Sequence, residues 1–305
     1  MTRRTFLVST LLTAVLGCAK GGVPKTRVHT WGHSGKREGT FQRPRALMAT
    51  STELYVADTT GRIQVFDHEG IFKRKWSMPS AENGTPTSIT LAADGRVIIP
   101  DTHYSRIMEY SPEGTLQRQW GSSGTGNGEF VYPTDIVEAP DGTLYLSEYG
   151  TGAERVHIFD GKGNFLRQWG KHGENPGEFS RPMAITFAKD TVYVCDTANH
   201  RVQCFSPDGK HLHTISEAGD EPGRLKFPHD LALAPGDSLI VCEYGNNRLS
   251  IFGLDGTFRS CVGGPGREPG LFAAPRGVAV SPNGYVFIAD TDNDRIQRLL
   301  WEDVA

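Results

Sequence analysis

Residues 275–300 read PRGVAVSPNGYVFIADTDNDRIQRLL, and versions of this phrase recur six times along the 305-residue chain. The leading proline stands at Pro44, Pro86, Pro133, Pro182, Pro228 and Pro275, in steps of 42, 47, 49, 46 and 47 residues. A period in the forties with strand-like segments inside each unit is typical of a propeller with one blade per repeat. The repeat therefore predicts an all-β protein, a six-bladed β-propeller.

Each repeat contains short apolar segments that alternate with turns. In the third repeat LYLSE (144–148) follows the turn PDG (140–142), and in the sixth VFIAD (286–290) follows PNG (282–284). Apolar, β-branched runs bounded by Gly and Pro indicate β-strands. Each unit has room for four such runs, so we predict four-stranded antiparallel blades.

The last repeat ends before its fourth strand, because only WEDVA (301–305) follows Leu300. The missing piece is at the other end of the chain, where VHTWG (28–32) reads like LRQWG (166–170). We therefore expect residues 26–31 to pair with 295–300 and close the last blade. Closure would leave only short, protected sheet edges in a propeller that covers residues 26–301.

Each repeat also carries one acidic residue and one arginine on either side of a hairpin loop. These are Asp58/Arg62, Asp101/Arg106, Glu148/Arg155, Asp196/Arg201, Glu243/Arg248 and Asp290/Arg295. They could form fork-shaped ion pairs that hold the loop, or a basic rim that binds phosphate. Sixfold repetition favours the ion pairs, because a ligand site rarely needs six identical copies.

The order of these segments resembles the NHL repeat. In that pattern Gly-x-Phe-x-x-Pro precedes a strand ending in Asp-Thr, and Asn-x-Arg-Ile-Gln follows. FIADTDNDRIQ (287–297) and YVCDTANHRVQ (193–203) are near-consensus copies. The resemblance covers about residues 26–300 and implies a six-bladed propeller. It implies little about function, since NHL relatives include scaffolds, RNA binders and a lyase.

Residues 1–18 have the features of an export signal. TRRTFLV (2–8) and the apolar run after it resemble a twin-arginine signal, and the run is too short for a membrane span. Residues 15–18 (VLGC) resemble the box cleaved before a lipid-modified cysteine, which implies lipid attachment at Cys18. Ala19 then fits retention on the periplasmic side of an outer membrane. Ordinary signal cleavage is the alternative, and residues 19–25 form a short linker.

Composition excludes some functions. A net charge of −3 and a pI near 6.4 provide no electrostatic footprint for nucleic acid. One propeller uses nearly the whole mature chain, so we expect a monomer without a second domain.

Four cysteines fall within the repeats: Cys195, Cys204, Cys242 and Cys261. They suit small buried positions, and a disulfide is the open alternative.

Ligands of propellers usually bind at the mouth of the central channel, where the inner strands begin. Positions just after the repeated prolines, and those in the nearby hairpin loops, depart from the repeat symmetry, which marks them as candidates for function. The candidate ligand-binding residues are Arg45, Tyr104, Asp135, Tyr149, His229, Asp230, Tyr244 and Arg276.

Two enzymatic alternatives can be weighed on these residues. PTDI (133–136) and FPHDLAL (227–233) resemble segments of the peptidyl-hydroxyglycine amidating lyase, where Pro-His at three inner strands supplies three zinc ligands. Only Pro228-His229 fits here, and one imidazole does not hold catalytic zinc.

A lactonase-like calcium site is the second alternative, with Asp135, Glu148, Asp230 and Glu243 as oxygen ligands. Because Glu148 and Glu243 are already assigned to ion pairs, we predict no cofactor and keep calcium as the alternative.

Together these observations favour a membrane-tethered scaffold or binding propeller of the cell envelope. We expect it to recognise a protein, a peptide or a small ligand on its outward face, without nucleic-acid partners. The alternative is a metal-assisted lyase or lactonase-like hydrolase at the channel mouth.

Overall fold

Residues 25–150 and 152–305 are described by the structure, a computed structural model. The predicted export signal, Cys18 and all of the linker except Lys25 lie outside the described residues. In the described part of the chain, no helix has the length and the apolar character that crossing a membrane requires.

The described residues form six antiparallel sheets of four strands each, so the predicted fold class is confirmed. The strands are β1 His29–Trp31, β2 Ala46–Ala49, β3 Glu53–Ala57, β4 Arg62–Asp67, β5 Phe72–Ser77, β6 Thr90–Leu91, β7 Val97–Asp101, β8 Arg106–Tyr110, β9 Leu116–Trp120, β10 Tyr132–Glu138, β11 Leu144–Tyr149, β12 Arg155–Phe159, β13 Phe165–Trp169, β14 Pro182–Ala188, β15 Thr191–Asp196, β16 Arg201–Phe205, β17 His211–Ile215, β18 Pro228–Ala234, β19 Ser238–Glu243, β20 Arg248–Gly253, β21 Phe258–Gly263, β22 Gly277–Val280, β23 Tyr285–Asp290 and β24 Arg295–Leu300. Short 3-10 turns span Lys25–Arg27, Thr102–Tyr104, Thr197–Asn199, Thr291–Asn293 and Trp301–Asp303.

Blades one to five are consecutive groups of four strands from β2 to β21, and blade six combines β22, β23 and β24 with β1. In β1, Thr30 lies opposite Gln297 and Trp31 opposite Ile296. The predicted closing strand is therefore confirmed for His29–Trp31, whereas the start of the predicted segment belongs to the 3-10 turn Lys25–Arg27. Trp31 also packs against Phe66 and Phe287, at ring-centroid distances of 6.4 and 6.2 Å, so it ties blade six to blade one.

The core lies between neighbouring blades, because each sheet buries both faces. One cluster joins Phe41, Leu54 and Phe66 of the first blade to Phe287 and Ile296 of the sixth, all fully buried. Burial on both faces explains why the middle strands read as continuous apolar runs. The first strands of adjacent blades contact one another and surround the central channel.

All six acid–arginine pairs form, with nitrogen–oxygen distances of 2.6–2.8 Å. In five blades the arginine also donates to backbone carbonyls of the Gly-rich loop that enters the blade. Arg155, for example, donates to the carbonyls of Thr125 and Glu129. The acid accepts a backbone N–H from the same loop, as when Val131 donates to Glu148 at 2.7 Å. The pairs are therefore structural, as sixfold repetition predicts.

Blade two departs from this pattern, because the connection before Pro86 lacks the Gly-rich loop. Five such loops elsewhere are closed by a parallel bridge that ends on Phe41, Phe130, Phe179, Leu225 or Phe272. In blade two, Asp101 Oδ1 and Arg106 Nη2 are buried and have no hydrogen-bond partner among the described residues. Within the described residues, the Asp101 carboxylate therefore accepts only the 2.8 Å bond from Arg106 Nε, whereas the other acids accept several.

A glycine ends or directly follows the outer strand in four of these connections, for a steric reason. Gly32, Gly121, Gly170 and Gly263 have φ between 89° and 102°, which disfavours residues with a side chain. A Cβ atom at these positions would come within 2.3–2.6 Å of a loop phenylalanine ring. The ring can cover the blade edge only if this position is glycine.

Three repeat cysteines are free thiols inside the core. Cys195, Cys204 and Cys242 are fully buried. Burial raises the pKa of Cys204 to about 12 and also raises the pKa of Cys195 and Cys242 well above its usual range. These thiols act as small packing groups, which is what the sequence favours. Cys261 lies half-buried on β21, opposite Ser250.

Candidate ligand site at the channel mouth

The inner strands aim the residues around each repeated proline at one end of the channel. The residue before the proline adopts a left-handed backbone at Arg43, Arg181, Phe227 and Ala274, with φ between 48° and 56°. This conformation costs a residue with a side chain about 1–2 kcal/mol. Its recurrence in four blades shows that the surrounding loops impose it, and it fixes side chains at the rim of the channel.

Arg276, His229 and Tyr244 form one side of the mouth. His229 Nδ1 lies 3.0 Å from the carbonyl oxygen of Arg276, and His229 Nε2 lies 3.2 Å from Arg276 Nη1. The carbonyl can only accept, so Nδ1 carries the proton and Nε2 accepts from the guanidinium. The Arg276 guanidinium also lies over the Tyr244 ring, 4.7 Å from its centre.

This geometry requires a neutral histidine. Burial, then the charges of Arg276 and Arg45, lower the pKa of His229 to about 3. Both ring nitrogens are already used, so His229 positions Arg276 and has no lone pair free for a metal.

Arg45 and Arg181 complete the cationic mouth. Arg45 Nη1 donates to Thr85 Oγ1 at 3.1 Å, and Arg181 lies over the Tyr149 ring, 5.1 Å from its centre. Burial, then the charges of Arg276, Arg43 and Arg181, lower the pKa of Arg45 to about 10. Burial and the positive charge of Arg43 also lower the pKa of Arg276. Both guanidinium groups stay charged at neutral pH despite crowding by like charges.

The arginines of the mouth lack acidic partners. Within residues 25–150 and 152–305, no carboxylate forms an ion pair with Arg45, Arg181 or Arg276. The Nε atoms of Arg45 and Arg276 are buried without a hydrogen-bond partner in this part of the chain. Concentrated positive charge with unused donors is the chemistry of an anion site.

Asp135 and Asp230 lie in a separate cavity of about 200 Å³ inside the channel. Each carboxylate accepts two backbone N–H groups at 2.8 Å, one from its own inner strand and one from the inner strand of the next blade, at Ile185 and Val278. Burial raises the pKa of Asp135 to about 6, and burial together with Asp135 raises the pKa of Asp230 well above its usual range. The two aspartates therefore join adjacent blades around the channel.

The remaining candidates lie in a hairpin loop or in the strand that leads into one. Tyr104 Oη accepts the backbone N–H of Asn83 at 3.1 Å, and its ring lies under Arg106 in blade two. Glu148 and Glu243, named as alternative calcium ligands, are fully buried against Arg155 and Arg248.

Among the described residues, no three His, Cys, Asp or Glu side chains are grouped so that they could hold one metal ion. Asp135, Glu148, Asp230 and Glu243 therefore do not form a single cluster.

Two residues of the mouth were missed from the sequence. Arg181 and Phe227 stand immediately before the repeated proline, whereas the candidates predicted from the sequence stand after it or near the hairpin loops. A signal was available, because these positions hold a charge and an aromatic ring where the sixth repeat has Ala274.

The NHL repeat model matches residues 179–205, 225–252 and 272–299, which are parts of blades four, five and six. This chain carries NHL repeats in a six-bladed β-propeller. The first three blades share the strand order and the acid–arginine pairs of these matched blades.

Solved structures show the same fold at low sequence identity. A virginiamycin B lyase from Staphylococcus aureus is 16% identical, with a TM-score of 0.60 over 89% of this chain and 94% of that one. A gluconolactonase from Xanthomonas campestris is 14% identical, with a TM-score of 0.64 over 86% and 87% of the two chains. A protein of unknown function from Bacteroides thetaiotaomicron is 15% identical, with a TM-score of 0.70 over 89% and 74%.

Two of these three structures are enzymes, but identities at this level extend to the fold alone. No curated protein sequence matches this chain.

Proposed function

We propose that this chain is a cell-envelope propeller that binds an anionic ligand at the mouth of its channel and is not a catalyst. The observation that carries the proposal is the group of three arginines, Arg45, Arg181 and Arg276, without an acidic partner among the described residues. Holding like charges together opposes folding, and an anion would relieve that repulsion while using the free donors. His229 and Tyr244 hold one of these donors in place before the ligand arrives.

Ligand-induced stabilisation tests the proposal. A ligand at about one hundred times its dissociation constant stabilises the native state by about 2.7 kcal/mol. We therefore expect acetate or sulfate to raise the unfolding midpoint of the purified protein, and Arg276→Met to abolish this rise. Arg37→Met is the matched control, because Arg37 is an exposed arginine of the first loop, outside the mouth. An anion response that persists in Arg276→Met would refute binding at the mouth.

The tether is a second part of the proposal. Arg3-Arg4 would direct export, and Cys18 would carry the lipid that holds the propeller on the periplasmic side of the outer membrane. In the producing bacterium, labelled fatty acid should be incorporated into the wild type but not into Cys18→Ser. Arg3→Lys combined with Arg4→Lys should leave the protein in the cytoplasm. Unlabelled wild-type protein found free in the periplasm would contradict the anchor.

The competing function is a metal-assisted lyase or hydrolase, which the lyase and gluconolactonase among the similar propellers bring into consideration. Metal analysis of the purified protein separates the two functions. Stoichiometric zinc or calcium, lost on His229→Ala or Asp135→Ala, would overturn the binding proposal in favour of the enzyme.

A further inference from the structure

A cavity of about 260 Å³ opens beside Arg276, between the inner strands of blades four, five and six. Its cationic wall is formed by Arg181 and Arg276. Its remaining walls include Met183, Phe227 and Tyr244, which expose mainly carbon atoms to the cavity. A site that held only an inorganic anion would not need an apolar wall, so the cavity indicates a ligand with two chemically different parts.

Phe227 is the most informative of the apolar groups. It is 39% exposed, and its backbone is left-handed with φ of 48°. His200 holds it from the side, because the two rings lie 4.2 Å apart in a T-shape and His200 Nδ1 accepts the Phe227 N–H at 3.0 Å. A large apolar ring is therefore fixed at the rim of a charged pocket by a backbone conformation that is itself unfavourable.

The polar end of the ligand follows from Arg276. Its guanidinium is held by His229 and Tyr244, and its Nε is buried without a partner among the described residues. A planar fork held in this way suits a planar carboxylate, which can accept two parallel N–H bonds. Arg181, on the same cavity, adds a second positive charge.

We infer that this pocket takes a carboxylate attached to an apolar group, an inference that rests on the proposed anion site. The cavity corresponds to about nine water volumes, which matches a ligand of roughly eight to ten non-hydrogen atoms. Hexanoate and benzoate have this size. The same chemistry is found in free aliphatic or aromatic acids and in the last residue of a polypeptide that ends in an apolar side chain.

Calorimetric titration with acetate, hexanoate and sulfate tests the apolar part. Burying four additional methylenes should make hexanoate bind at least about tenfold more tightly than acetate. In Phe227→Ala we expect this ratio to fall below about threefold. The backbone tolerates the substitution, since Ala274 has the same φ of 48° at the equivalent position. Leu233→Ala is the matched control, because Leu233 lies on the same blade, is 38% exposed and is outside the cavity.

The outcomes separate this inference from the proposed function. Equal affinities for acetate and hexanoate, both lost in Arg276→Met, would overturn the apolar pocket and leave the anion site intact. Tighter binding of sulfate than of hexanoate would do the same. If none of the three anions binds, the proposed function fails and the inference fails with it.

Three further ligands identify the carboxylate and its source. N-acetylphenylalanine should bind through its carboxylate and its phenyl group, with the acetylated amine outside the cavity, and its amide should bind at least about tenfold more weakly because the charge that Arg276 recognises is absent. Equal binding of acid and amide would overturn the inference. Acetyl-Gly-Gly-Phe binding more tightly than N-acetylphenylalanine supports a polypeptide end, whereas equal or weaker binding supports a free acid.

Discussion

Replacing Arg45 by methionine should make the unliganded protein more stable, although it removes a half-buried side chain. Burial and three neighbouring arginines lower the pKa of Arg45 from 12.5 to about 10. One pKa unit corresponds to about 1.36 kcal/mol, so the charged form destabilises the folded state by about 3 kcal/mol. Methionine retains much of the apolar part of the side chain. Loss of the hydrogen bond to Thr85 reduces the gain in stability by about 1 kcal/mol. We expect a net gain of about 2 kcal/mol.

The sign of this stability change and the pH range in which it applies follow from the difference between the pKa of Arg45 in the folded and unfolded states. A basic group whose folded-state pKa is depressed opposes folding wherever it is charged. The penalty is fully present below about pH 10 and disappears only as the pH rises towards 12.5. The gain in Arg45→Met should therefore be constant across neutral pH.

Urea unfolding of three variants checks the prediction. Arg45→Met should unfold at higher urea with an unchanged m-value, whereas Arg45→Lys retains the charge and should gain nothing. Arg37→Met, in an exposed loop, should stay within about 0.5 kcal/mol of the wild type. If Arg45→Met instead loses 1 kcal/mol or more, Arg45 is a structural residue and is not held for a ligand. The same variant should also lose the stabilisation by added anions.

Three further predictions concern the scaffold. Trp31→Ala should lower the free energy of unfolding by about 3 kcal/mol, as much as Trp169→Ala does in a blade whose four strands are consecutive in the chain. A much smaller loss in chemical unfolding would show that the closing strand is dispensable. Asp196→Ala should lower the free energy of unfolding by about 3–5 kcal/mol and Asp101→Ala by about half as much, because of these two residues only Asp196 also binds the Gly-rich loop. Equal losses in the two variants would contradict this. Burial raises the pKa of Asp135 to about 6, so the carboxyl favours folding at about pH 4 and this contribution is lost as the pH rises through 6. The stability of the wild type relative to Asp135→Asn, measured by urea unfolding, should fall by about 2–3 kcal/mol between pH 4 and pH 7, and a rise would refute the burial argument.

Most of the fold could be predicted because its determinants repeat. The proline period sets the number of blades, and the likeness of residues 28–32 to 166–170 identifies the closing strand. The ion pairs could be predicted for the same reason, since a six-times repeated acid and arginine flank one kind of loop. Even the exception in blade two has a sequence signal: no Gly-x-Phe or Gly-x-Leu segment precedes Pro86, whereas one precedes each of the other repeated prolines.

The site was harder to predict, because it depends on which way individual side chains point. Sequence places Arg276, His229 and Asp230 close together at the channel mouth, but it does not show that His229 is used by Arg276 while Asp230 bonds to the amide of Val278. Neighbouring residues of one strand point to opposite sides, and a bulge between Pro228 and Asp230 shifts the register here. Such local irregularities are invisible to a periodicity argument. They separate the cationic mouth from the acidic channel.

The repeated residues stabilise the blades and the unrepeated residues line the mouth, which explains how the ring can contain an unfavourable cluster of positive charges. Each acid–arginine pair and each buried loop residue stabilises one blade, and none of them faces the mouth. The first position after the proline makes no repeated contact of this kind, so it can differ from blade to blade; it holds Arg45, Thr87, Thr134, Met183, His229 and Arg276. Two of these six are arginines from adjacent blades, and Arg181 joins them from the position before the proline. The positive charges therefore lie at positions that folding constrains least, and at such positions the requirements of ligand binding can decide which residue is present.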